Sequence, residues 1–181
     1  MSIYMNTPTR SPLVRATIAD IPEPAPHTRA ELATLLALVK QPKTKAVVIG
    51  HGRDEVSRAS AAAFAQAWEQ PGGHVLDVID WPEEAASWLR PARRFTAGEP
   101  DAWVVAAPVP GWAQMARRLR ASTGWTPERT FGFASVGVAQ AVAMAGADSL
   151  EGMRGATVDG GTWRAGPGWM TYRPAEPAEE V

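Results

Sequence analysis

The sequence predicts an α/β domain in which four or five mostly parallel strands form a doubly wound sheet. Four short apolar runs have the character of buried strands, and stretches with helical periodicity separate them. The runs begin at Lys45, His74, Asp101 and Arg129, a spacing of roughly 25–30 residues. Alternating units of this length form a parallel sheet with right-handed crossovers and helices on both faces. We therefore expect a Rossmann-like fold.

The first helix and the first strand carry the clearest local signals. Thr28 and Glu31 have the spacing of a capping box, in which each side chain bonds the other residue's backbone amide. Leucines and a valine follow at helical spacing until Pro42, so a helix is predicted over residues 29–41. The apolar, β-branched run Lys45–Gly50 is typical of a strand buried on both faces.

The remaining elements continue the same alternation. Pro82 occupies an early helical position, where proline is tolerated, and Pro91 falls inside the helical pattern that follows, where it should kink or interrupt the helix. The predicted elements are a helix over 54–69, a strand over 74–79, a helix from Asp80, a strand over 101–107, a helix from Pro110, a strand over 129–134, a short helix over 138–145 and a fifth strand over 154–158. Residues 162–172 are predicted to form either a loop or a hairpin.

Composition divides the chain into three regions. Residues 1–27 form a proline-rich arm, residues 28–174 hold the single α/β domain, and residues 175–181 are a short acidic tail. Within the arm, Leu13–Ile18 alternates as an edge strand does, and a loosely attached segment fits the same residues equally well.

Charge and cysteine content exclude several classes of function. The net charge is −1, which gives no sign of the basic surface that nucleic-acid binding requires. The absence of cysteine excludes disulfides, thiolate catalysis and iron–sulfur clusters. The N-terminal sequence has no apolar signal region, and no apolar run approaches the ~20 residues of a membrane helix. We therefore expect a cytoplasmic protein without membrane insertion.

No catalytic, cofactor or metal motif is complete. In the segment Gly50–Glu55, the third glycine of a dinucleotide fingerprint is replaced by Glu55, whose charge would repel a pyrophosphate. Ser135 resembles a nucleophile elbow, but the hydrolase order needs a downstream histidine, and all three histidines lie upstream. Those histidines also lack metal-ligand spacing. No cofactor or metal is predicted.

Six residues are predicted to face a ligand because they lie at the carboxyl ends of strands, where open α/β sheets bind their ligands. They are His51, Gly52, Arg53, Asp54, Trp112 and Ser135. Three of them also have a structural explanation. His51 fits a solvated turn, Asp54 is a good helix N-cap, and Ser135 fits a loop serine that hydrogen-bonds the backbone. Trp81 and Trp112 flank strand ends, and their indoles would suit the wall of a pocket.

Several segments together resemble a known family. They are Lys45–Gly50, the helix from Asp54, the strand His74–Pro82, the run from Phe95 through Gly98-Glu-Pro-Asp101 to Val105, and the Ala-Gly, Leu-Glu-Gly and Gly-Ala-Thr steps between Ala145 and Thr157. Over roughly residues 28–165, this pattern is similar to a single lobe of the type I periplasmic binding proteins, the receptors of branched-chain amino-acid ABC transporters.

The resemblance implies where a ligand would bind. Those receptors have two lobes and an export signal, and the ligand is held between the lobes, whereas this sequence has room for one lobe. The ligand-facing loops would be Gly50–Asp54, Ala107–Trp112 and Ser135–Gln140. A single lobe would form half a cleft, which a second copy or another protein could complete.

The leading hypothesis is therefore a non-enzymatic, cytoplasmic binding module for a small polar ligand or a protein partner. One alternative is a structural protein that forms a homodimer through exposed tryptophans and an unpaired sheet edge. A second is a small α/β enzyme, which would require His51 within hydrogen-bond reach of Ser135 or of a carboxylate.

Overall fold

A computed structural model of the chain describes residues 21–175, in which helices cover both faces of a seven-stranded sheet. The helices are α1 (Arg29–Val39), α2 (Glu55–Glu69), α3 (Leu89–Thr96), α4 (Val109–Ser122) and α5 (Ala139–Ala145). The strands are β1 (Ala46–Gly52), β2 (His74–Trp81), β3 (Ala102–Ala106), β4 (Thr130–Gly132), β5 (Arg154–Ala156), β6 (Thr162–Gly166) and β7 (Trp169–Arg173).

The strand order confirms the doubly wound arrangement. The sheet runs β2-β1-β3-β4-β5-β6-β7, and the first five of these strands are parallel. Strand β1 lies between β2 and β3. The first crossover therefore leads from β1 to a neighbour on one side, and the second places β3 on the other side of β1. The last two strands are antiparallel and form a hairpin. The stretch left open as a loop or a hairpin is thus a hairpin that extends the sheet.

Two apolar clusters cover the two faces of the sheet. In β1, Val48 packs with α3 and α4 on one face, while Val47 and Ile49 pack with α1 and α2 on the other. Strand β3 divides its residues in the same way, with Trp103 on the first face and Val104 on the second. Burial on both faces explains why these strands are continuously apolar rather than alternating.

The capping box is confirmed, since the Glu31 amide donates to Thr28 Oγ1 at 3.0 Å and the Thr28 amide donates to Glu31 Oε2 at 3.3 Å.

The predicted helix from Asp80 is wrong, because α3 begins only at Leu89. Pro91 therefore lies in the first turn of α3, where the missing amide costs no hydrogen bond. The expected kink does not arise for that reason.

Trp81 and Trp112 form the centre of a buried aromatic cluster rather than the wall of a pocket. Their ring centroids are 5.9 Å apart, and Trp81 also meets Phe95 edge-on at 6.0 Å. Trp112 meets Trp125 edge-on at 5.9 Å. Both indoles have 0% exposure. Trp81 ends β2 and Trp112 lies in the first turn of α4, near strand ends as predicted, but each side chain turns inward because the apolar face beneath α4 offers a large area to bury.

Two predicted features cannot be compared with the structure. The edge strand proposed at Leu13–Ile18 lies outside the described residues, and so does the acidic tail from residue 176 onward. Of the proline-rich arm, residues 21–27 are described, and they approach the carboxyl edge of the sheet through His27, whose ring lies 5.9 Å from that of Phe133.

The close approach of β4 and β5 gives a first prediction. A Cβ atom at Gly155 would overlap the Gly132 carbonyl oxygen and lie 2.5 Å from the Trp163 ring. Gly155→Ala should lower the free energy of unfolding, measured in urea, by about 3 kcal/mol because a paired strand must move. Gly124→Ala is the control, since its Cβ would meet no atom within 4 Å. A change beyond about 0.5 kcal/mol in the control, or none at Gly155, would contradict this account.

Candidate functional site

A groove of about 320 Å³ opens at the carboxyl ends of β3, β4 and β5. The first turns of α2 form one wall, and the turn Ala134–Val136 after β4 forms another. Residues 22–25 lie along it as well. Its apolar lining comes mainly from Val56, Ala106, Phe133, Val138, Val158 and Trp163. We call it the ligand groove.

Two serines on α2 contribute polar atoms to the ligand groove. Ser57 is 2% exposed, and its Oγ has no hydrogen-bond partner among the described residues. Ser60, one turn later, lies 3.2 Å from His27 Nδ1 and is therefore paired. A buried hydroxyl without a partner costs about 1–3 kcal/mol. Ser57 is thus the hydroxyl that is free to bond a bound molecule.

Glu31 joins the capping box to the ligand groove. Its Oε1 accepts a 2.7 Å hydrogen bond from the amide of Ala134, which lies 103 residues further along the chain. Burial raises the pKa of Glu31 above its ordinary value, although the amides of Ala134 and Thr28 and the nearby His27 oppose that shift. The carboxylate fixes the start of α1 against the loop after β4, so its role is structural.

A second cluster of polar atoms lies where the strand order reverses, between the carboxyl ends of β1 and β3. A Cβ at Gly52 would lie 2.6 Å from Pro108, 2.7 Å from Asp54 Oδ2 and 3.4 Å from Glu83 Oε1. These two carboxylate oxygens are buried, and neither has a partner within residues 21–175. We call this pair the carboxylate pair. Open α/β sheets bind their ligands at this topological position.

The other oxygens of the carboxylate pair are held by helix amides. Asp54 Oδ1 accepts from the Ser57 amide at 2.8 Å and caps α2, as predicted for an N-cap. Glu83 Oε2 accepts from the Gly111 amide at 2.7 Å, in the first turn of α4. Burial raises the pKa of Glu83, the Gly111 hydrogen bond opposes the rise, and the negative charge of Asp54 adds to it. The pair therefore favours a cation or a proton between its free oxygens.

The structure brings some of the predicted site residues together and separates others. Gly52 and Asp54 meet at the carboxylate pair, and Ser135 lines the ligand groove. Arg53 points away and forms an exposed ion pair of 3.0 Å with Asp80. Trp112 is buried in the aromatic cluster, so the prediction that it faces a ligand does not agree with its position.

His51 is nearly buried, with 9% exposure. Its Nδ1 lies 2.6 Å from the Gly52 carbonyl oxygen and donates to it. Among residues 21–175, no hydrogen bond connects the ring to Ser135 or to a carboxylate. The ring therefore bonds the last residue of β1, directly before the loop that carries Asp54.

Sequence reasoning missed Glu83, Ser57 and Glu31. Glu83 follows the end of β2, a strand-end position that singles it out, but the sequence pattern predicts a helix there that does not form. Ser57 lies one turn after the N-cap Asp54, and nothing in the sequence separates it from Ser60. Glu31 was recognised as half of a capping box, while its contact with Ala134 depends on tertiary structure.

Residues 21–175 contain no group of three or more histidine or acidic side chains arranged to hold a metal ion. No helix in this part of the chain combines the length and apolar character needed to cross a membrane.

Comparisons with solved structures show a shared fold. A substrate-binding periplasmic protein from Ralstonia solanacearum superposes with a TM-score of 0.63 at 16% identity, over 75% of this chain and 38% of that chain. An extracellular ligand-binding receptor from Rhodopseudomonas palustris HaA2 gives 0.59 at 20% identity, over 70% and 34%. The branched-chain amino acid transporter substrate-binding protein LivJ from Streptococcus pneumoniae, in complex with isoleucine, gives 0.58 at 13% identity, over 69% and 34%.

In each case the match covers little more than a third of the other structure's length. No curated protein matches the chain. The sequence model that describes periplasmic binding proteins matches residues 23–166, which is most of the chain. The strand order agrees with this match, which shows that the chain belongs to the periplasmic binding protein family.

Proposed function

We propose that this chain is a non-enzymatic binding lobe for a small molecule that carries a cationic group and an apolar body, as an amino acid does. The observation that carries the proposal is the carboxylate pair, whose buried oxygens on Asp54 and Glu83 have no partner within residues 21–175. An ammonium group placed between them would restore the missing hydrogen bonds and offset their charge.

The ligand groove supports the apolar half of this proposal. It is lined mainly by aliphatic and aromatic side chains, and small-molecule sites typically combine such a lining with a few well-placed polar atoms. Asp54 and Ser57 connect the two features, because the Ser57 amide bonds Asp54 while its hydroxyl is one of the few polar groups of the groove. A ligand that bridges both would meet charge at one end and apolar surface at the other.

A single lobe covers one side of such a ligand. Its solved relatives are nearly three times as long as the region they share with this chain, which supports a second surface that completes the cleft. That surface is a second copy of the chain or another protein. We extend the proposal to a cytoplasmic setting, which rests on the sequence alone.

A thermal-shift screen against the twenty amino acids and small amines tests the proposal. An amino acid with an aliphatic side chain at ~100 times its Kd should stabilise the folded chain by about 2.7 kcal/mol. The matching α-keto acid, which lacks the ammonium group, should stabilise it much less. Absence of stabilisation by every amine in the screen would argue against a small-molecule site on the isolated lobe.

Two serines on one helix provide a matched pair of variants. Ser57→Ala removes a buried hydroxyl without a partner, so the unfolding free energy should stay the same or rise, while affinity for the stabilising ligand falls by about tenfold. Ser60→Ala loses the hydrogen bond to His27 and should cost about 1 kcal/mol with less effect on affinity. Equal effects of the two variants on affinity would remove Ser57 from the site.

The pH dependence of stability tests the unpaired state of Glu83. Its pKa is raised in the folded chain, so its contribution is fully present below the ordinary value of 4.5 and is lost as pH rises through the folded value. Glu83→Gln should therefore gain stability relative to the wild type as pH increases from about 4 to 7. Glu84→Gln, at the exposed neighbouring residue, should show no such trend. A flat difference for Glu83→Gln in urea unfolding would contradict the geometry.

A second candidate function is self-association through the outer strand of the hairpin. Strand β7 ends the sheet within residues 21–175, and it exposes Trp169 at 49% and Tyr172 at 54%. Tyr172 also lines the ligand groove, so a second copy paired along β7 would lie beside that groove. Exposed apolar edge strands readily pair with another chain.

Sedimentation equilibrium distinguishes a β7 dimer from a monomer. Trp169→Lys should raise the dimer dissociation constant by at least about tenfold, because a lysine on the edge opposes strand pairing. Val78→Lys is the control on the opposite edge strand, where Val78 is 44% exposed. A monomeric wild type at high micromolar concentration would exclude this candidate.

A further inference from the structure

Three arginines converge on a groove that the ligand site does not use. The groove has a volume of about 180 Å³ and lies between the end of α1 and the β5–β6–β7 part of the sheet. Arg154, Arg164 and Arg173 line it, together with Leu38, Thr162 and Thr171. We call it the arginine groove. Because Arg154 begins β5 and Thr157 of the ligand groove follows that strand, the two sites lie at opposite ends of β5.

Strand register puts the arginines on one face. Arg154 is directly opposite Arg164 in the antiparallel β5–β6 pair, and Arg173 is opposite Thr162 in the β6–β7 pair. The side chain of the intervening Trp163 belongs to the apolar cluster on the other face, although this residue also borders the groove. Like charges directly opposite one another destabilise a strand pair. The sheet therefore carries a repulsion that a bound anion would remove.

The protein supplies no counter-ion for these charges within residues 21–175. The ion pairs found there join Arg53 to Asp80 and Arg94 to Asp77, and none involves the arginine groove. On the far side of Arg154, a neighbouring groove contains Asp101 and Glu128. Asp101 Oδ2 accepts from two backbone amides at 2.8 Å each, and neither Asp101 nor Glu128 forms an ion pair with Arg154 among the described residues.

Arg154 is held in place and has an unused donor. Its guanidinium carbon lies 4.9 Å from the centre of the Phe131 ring, a cation–π contact that fixes the side chain. Its Nε is buried and has no hydrogen-bond partner among the described residues. A charged donor left unpaired is costly, so this nitrogen favours an acceptor from outside the chain.

We propose that the arginine groove binds a phosphate-type oxyanion, either inorganic phosphate or a phosphate monoester. Guanidinium groups match the oxygens of phosphate through paired hydrogen bonds, and three of them suit a dianion better than a monocarboxylate. The hydroxyl of Thr162 lies on the same face and adds a neutral donor, whereas the Thr171 hydroxyl donates to the Arg164 carbonyl at 3.4 Å. This site is independent of the proposed amine site, which is acidic.

Isothermal titration of the full chain with inorganic phosphate, glycerol phosphate and acetate tests this proposal at matched ionic strength and pH 7.5. Both phosphates should bind, and acetate should bind at least tenfold more weakly. If glycerol phosphate binds more tightly than inorganic phosphate, the natural ligand is an ester, and the reverse result assigns the free ion. Arg164→Gln should weaken phosphate binding by about tenfold, whereas Arg120→Gln, an exposed arginine on α4, should not change it.

Thermal unfolding gives a readout that a general salt effect would not produce. Without phosphate, Arg164→Gln should melt at or above the wild-type temperature, because the repulsion from Arg154 is removed. With saturating phosphate, the wild type should melt at the higher temperature. Arg173→Gln provides a second variant on the other side of the groove and should behave in the same way.

Three results would each overturn the proposal: equal responses of Arg164→Gln and Arg120→Gln to phosphate, equally tight binding of acetate and phosphate, or no binding of phosphate to the full chain.

Discussion

The parallel pairing of β1 with β2 on one side and β3 on the other is the constraint on which the site depends. It places the ends of three strands at one edge, so that Gly52, Pro108 and Glu83 meet although the chain separates them widely. The pairing also sets how close they come, because Gly52 has no Cβ in the space that Asp54 and Glu83 border. A side chain there would fill the carboxylate pair, which makes this glycine part of the site as well as of the turn.

The sequence predicted the architecture well because burial on both faces leaves a strong pattern. The runs at Lys45–Gly50 and Asp101–Ala107 are almost entirely apolar; β3 lies within the second run, and β1 begins in the first and extends to Gly52. Predictions failed where a local signal had two physical meanings. Pro82 fits the start of a helix and also an irregular segment, and Pro91 fits a kink and also a first turn. Local propensity cannot choose between such meanings, since the choice depends on what packs against the segment.

The sequence predicted ligand-facing residues at the carboxyl ends of the strands, and three of them border the polar cluster or the groove found at that edge. Strand-end position identified Gly52, Asp54 and Ser135, because that rule depends only on topology. It could not reveal that Trp112 turns inward to pack on Trp81, which depends on the space beneath α4. It also missed Glu83, whose importance comes from one hydrogen bond to Gly111 and one oxygen without a partner. Periodicity in a sequence carries no information about unpaired atoms.

The two proposed sites share one feature, uncompensated charge, which is negative at one site and positive at the other. Each holds buried or converging charge that the described chain leaves uncompensated, carboxylates just after β1 and β2 and arginines on β5, β6 and β7. A fold tolerates such groups when the surrounding packing is strong enough to hold them, and here the strands beside both groups contribute residues to the apolar clusters. Because an unpaired buried polar atom costs about 1–3 kcal/mol, stability alone would favour removing it. Opposite uncompensated charges at two separate edges are therefore better explained by ligands of opposite charge than by any need of the fold itself.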